Sequence, residues 1–138
     1  ISAAVTDDVK GAEEVAETKS DAVVNAVMKA QLSKEQSRAQ NKEMLNDLIN
    51  NENATKKQKK EAANRLMQLS DFMEKEAAAE QVLSAKGYEN AMVSMSEDAV
   101  DVMVSLDEIT DVDRAKIEDV VQRKTGVSIN NIVISSFK

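Results

Sequence analysis

Three groups of carboxylates and one of lysines stand out as places where this sequence gathers chemistry. The carboxylates are Glu97-Asp98, Asp107-Glu108, and Asp111 with Asp113; the lysines are Lys56, Lys57, Lys59 and Lys60. Paired carboxylates can divide general acid and base work, or hold a hard cation such as calcium. Each acidic group here falls in a turn or at a helix start, where capping and the helix dipole already account for it. Asp107, Glu108, Asp111 and Asp113 also lack the glycine-bearing loop of an EF-hand.

The residues that most often complete a catalytic or metal site are missing. The chain contains no His and no Cys, which removes the commonest general base and the usual ligands of zinc and iron–sulfur clusters. Gly11, Gly87 and Gly126 are isolated, so no phosphate-cradling or nucleophile-elbow pattern forms. The sequence is read as non-enzymatic, with no cofactor and no metal. The lysines could dock an acidic partner or phosphates. We read them as a solvated first helical turn, although cations are unfavourable at a positive helix end.

Composition narrows the partners further. With 138 residues, a net charge of -7 and a pI near 4.7, one domain is expected, and its surface repels nucleic acid and anionic lipid. One Tyr, two Phe and no Trp offer little for stacking bases. No apolar run approaches the roughly 20 residues that span a bilayer. The start at Ile1, without an initiator Met, suits a fragment or processed form.

These residues must be carried by regular elements, since the chain has no Pro and few Gly. Residues 1–20 are small, acidic and weakly apolar, and read as a flexible lead-in. Residues 21–54 form a helical extension, with Val23, Val27, Leu45 and Leu48 at helical spacing. Its middle, residues 33–43, has Ala39 as its single apolar residue, so it should project into solvent or lie against a partner.

Residues 55–138 then read as a compact unit. Thr55 with Gln58 has the capping-box form and opens a second helix, antiparallel to the first, with Ala62, Leu66, Leu69, Met73, Ala77 and Leu83 as its apolar positions. The sequon at Asn53 is read as loop plus cap. After Gly87 the period falls to two, giving a valine-rich hairpin. Thr110 with Asp113 starts a third helix whose buried stripe is Val112, Ile117, Val120 and Val121, ending at Gly126. A last strand follows, parallel to its neighbour through a right-handed crossover. The fold class is α+β: a two-layer αββαβ sandwich of a three-stranded sheet and two helices, with an N-terminal helical extension.

That order also suggests a KH-like RNA-binding module, but the GXXG loop is absent and the charge is wrong. What remains is surface. With Val93, Val102, Val104, Ile132 and Ile134 facing the helices, alternation leaves Met92, Asp101, Met103, Val133, Ser135 and Phe137 on the open sheet face. We take these six as the candidate protein interface, unless the first helix folds back over them.

The C-terminal residues also resemble a known family. KGYENAMV at 86–93, DVMV at 101–104 and IEDVVQRKTGVSINNIVIS at 117–135 are similar to the stage III sporulation protein AH (SpoIIIAH) family, and the helical hairpin from Gln36 has the same character. The resemblance implies a ring-building-motif fold and an N-terminal membrane anchor preceding this fragment. It implies a place in the outer forespore membrane, with the domain in the intermembrane space. The implied partner is the LytM-fold ectodomain of stage II sporulation protein Q (SpoIIQ), in a channel or feeding tube, with ring self-association possible. The competing reading is a helical tether or homotypic assembly protein.

Overall fold

Two threonines set where the helices of the compact unit begin. The Thr55 hydroxyl accepts the Gln58 N–H while the Gln58 side chain accepts the Thr55 N–H, and Thr110 and Asp113 make the same reciprocal pair. Each box satisfies two otherwise orphaned backbone donors, and losing the cap side chain costs about 1 kcal/mol. The computed structural model describes residues 2–137, with side chains from Asp21 onward. Its elements are α1 (Ser2–Ile49), α2 (Lys56–Ala85), β1 (Met92–Met95), β2 (Val100–Val104), α3 (Asp111–Thr125), a 3-10 turn (Ile129–Asn131) and β3 (Ile132–Ser136).

The expected α+β order is the observed one. The sheet runs β1-β2-β3, with β1 antiparallel and β3 parallel to the central β2. Gly126 closes α3 in the left-handed region (φ 77), and Gly87 follows α2 at φ 99. Both are backbone conformations that a Cβ penalises. Between the sheet and α2 with α3 lies one core, in which Leu83, Val93, Val102 and Ile117 are fully buried.

α1 is longer than its apolar pattern. It runs 48 residues, about 72 Å at 1.5 Å per residue, and passes through the residues expected as a flexible lead-in. Ala and Glu are frequent there, and strong helix formers extend an existing helix at little cost. Two stripes also differ from the alternation read in the sequence. On α2, Phe72, Glu76 and Ala79 turn inward while Met73 is 36% exposed; on α3, Val112 is 63% exposed. Glu76 hides the first stripe, because a carboxylate interrupts its apolar rhythm. Val112 sits in the first turn of α3, before that helix reaches the core.

Candidate protein interface

Strand register decides which side chains share the open face. Met92 lies opposite Met103, which lies opposite Ser135; Asp101 lies opposite Val133. Residues opposed across a sheet point to the same side, so five of the six candidates form one surface. Phe137 follows at the end of β3, where its N–H donates to the Val104 carbonyl at 3.1 Å.

The six are not equally available. Asp101, Ser135 and Val133 are exposed, Val133 at 52%, and Met103 and Phe137 are half-buried. Met92 departs from expectation: it is buried, 8% exposed. It starts the edge strand along which α1 lies and faces the long Met103 side chain across the sheet. α1 does not fold back across the open face; it packs along α2 and meets the sheet chiefly at β1.

The polar middle of α1 has a use that the sequence reading missed. Instead of projecting into solvent, Lys34 and Arg38 reach the β1 edge and the buried Glu76, which is 2% exposed. Arg38 donates to Glu76 Oε2 at 2.6 Å and to the Met95 carbonyl at 3.0 Å. The Met95 N–H donates to the same carboxylate at 2.6 Å. Lys34 donates to the Val93 carbonyl and lies 3.3 Å from Glu76 and 3.4 Å from Glu80. A buried carboxylate is tolerable only when paired and hydrogen-bonded, and here α1 supplies the pairing. The i, i+4 spacing of Lys34, Arg38 and Lys42 on one helix face was the available signal.

Electrostatics elsewhere are structural in character. Burial pushes the Glu80 carboxyl above its ordinary range, against the opposing pull of Lys34. The Tyr88 hydroxyl donates to Asp113 at 2.8 Å, which holds the Asp113 carboxyl below its usual range together with Thr110. Burial and that same bond push Tyr88 up. Asp113 therefore ties the α3 cap to the α2–β1 connection. Among the described residues no cluster of three or more acidic side chains is placed to hold a metal ion, and no helix is long and apolar enough to cross a membrane. Lys56, Lys57 and Lys60 are exposed, and none of the four lysines makes an ion pair among those residues. A cleft of about 610 Å³ opens between α1, α2 and the β1–β2 turn, where Arg65 pairs with Glu97 at 3.2 Å.

Comparison with known proteins gives two findings. The family model for SpoIIIAH-like protein matches residues 2–134. A chain in a solved structure described as the SpoIIQ-SpoIIIAH pore forming complex shares the fold, with a TM-score of 0.71 and 24% identity, over 79% of this chain and 94% of that one. No curated protein matches.

Proposed function

The chain belongs to the SpoIIIAH-like protein family, and from that premise we propose that it is a non-enzymatic scaffold of the mother cell–forespore channel in sporulation. In this reading it binds a SpoIIQ-like ectodomain of LytM fold and assembles into a ring. It works in the intermembrane space, held to the outer forespore membrane by an anchor that precedes this sequence. Residues 1–20 serve as the spacer from that anchor, residues 21–54 as the helical extension and residues 55–138 as the assembling unit.

One observation carries the binding part of the proposal. The open sheet face, on a fold shared with a chain of a solved SpoIIQ-SpoIIIAH complex, keeps Asp101, Val133 and Ser135 exposed with Met103 and Phe137 beside them. A mixed polar and apolar surface of this kind suits a protein partner. The test is titration calorimetry with a SpoIIQ-like ectodomain. Met103→Asp, or a proline in β3, lowers affinity by at least about tenfold, roughly 1.4 kcal/mol. Unchanged affinity in both variants removes the sheet from the interface.

A further inference from the structure

The outer side of β1 meets side chains where a further strand would lie. Val93 and Met95 turn their N–H and C=O groups away from β2, and all four are taken. Glu80 accepts the Val93 N–H, and Glu76 accepts the Met95 N–H at 2.6 Å. Lys34 donates to the Val93 carbonyl and Arg38 to the Met95 carbonyl, the latter at 3.0 Å. Each rung therefore has one carboxylate from α2 and one cation from α1, and the two pair with each other at 3.4 Å for Lys34–Glu80 and 2.6 Å for Arg38–Glu76. The spacing explains the fit. Residues two apart on a strand are separated by about 6.8 Å, and residues four apart on a helix by about 6 Å along its axis.

β1 itself, MVSM, carries no charge, Pro or Gly, the means by which an edge strand usually refuses a neighbour. Refusal has to come from outside the strand. An ionised carboxylate accepts hydrogen bonds and donates none, which matches it to an outward N–H. An apolar residue would be the ordinary occupant of a site 2% exposed, as Glu76 is, and would leave the Met95 N–H unpaired. We propose that Glu76 and Glu80 act as a side-chain strand that keeps the β1 donors from pairing with another chain, while Lys34 and Arg38 close the carbonyls. This is a guard against edge-to-edge association, and it does not depend on the channel reading.

Glu80 gives the cleanest test, because its loss spares the rest of the cluster. Lys34 keeps Glu76 and the Val93 carbonyl, and the Glu76–Arg38 rung stays whole. Glu80→Ala removes the acceptor of the Val93 N–H; Glu80→Gln removes the same charge and keeps an acceptor oxygen. Both variants and the wild-type chain are followed by amide exchange and by light scattering of concentrated solutions. In Glu80→Ala the Val93 amide is expected to exchange about tenfold faster, as loss of one hydrogen bond implies. Met95 stays unchanged, and scattering grows several times faster than in Glu80→Gln, which matches the wild type. Equal Val93 exchange in the two variants overturns the assignment of Glu80 to that donor. Faster exchange in Glu80→Ala without faster association overturns the guarding role.

Discussion

Glu76 is the buried group with which Lys34 and Arg38 of α1 pair. Glu76→Ala leaves the Met95 N–H without its acceptor and the Arg38 guanidinium without its carboxylate, keeping only the Met95 carbonyl, and breaking a buried pair from one side costs about 3–5 kcal/mol. Urea unfolding measures that loss. Glu80 behaves in the opposite sense. Its raised carboxyl means that the folded chain holds the proton more tightly, so its contribution is full below the ordinary value of 4.5 and is lost as pH rises through the folded value. Glu80→Gln is expected not to lower stability at pH 7 and to flatten the decline above pH 4.5. A clear loss at pH 7 would show that the Lys34 contact outweighs burial. Asp113 runs the other way again: its lowered carboxyl stabilises the fold above 3.8 and ceases to do so as pH falls through the folded value. Asp113→Asn is therefore destabilising at pH 7, with the difference from wild type closing in acid.

At the scale of elements, much was legible before the fold was known, and the reasons are local. Thr55 with Gln58 and Thr110 with Asp113 announce helix starts by their chemistry alone, and the valines of β1 and β2, with Ile132 and Ile134 of β3, announce one buried sheet face. Thr110→Ala should cost about 1 kcal/mol of stability, read by the same urea titration. What was not legible depends on long-range pairing. Residues 33–43 read as solvated or partner-bound because an apolar count has no place for a lysine bound to a strand's carbonyl. Glu76 masked the inward face of α2, and the burial of Met92, which faces Met103 across the sheet, has no local sign. The strand order β1-β2-β3, which fixes the two edges, has no local signature. α1 is accordingly more than an appendage. A chain starting at Thr55 removes Lys34 and Arg38 together, and its β1 amides should exchange faster than those of the full chain. Unchanged exchange there would make residues 55–138 self-sufficient.

At the scale of the whole molecule, two features of the sheet are separate. The β1 edge is closed by side chains of α1 and α2, while the open sheet face on β2 and β3 stays available to a partner. Together with membership of the SpoIIIAH-like family, this arrangement favours assembly through a protein partner over a bare helical tether, since a tether has no need of an exposed sheet face. The most direct measurement of the central claim is the mass, by light-scattering chromatography, of this chain mixed with a SpoIIQ-like ectodomain. The account predicts a stable complex of one-to-one composition or larger. Two separate peaks at high concentration would contradict it and return the function to homotypic assembly or tethering.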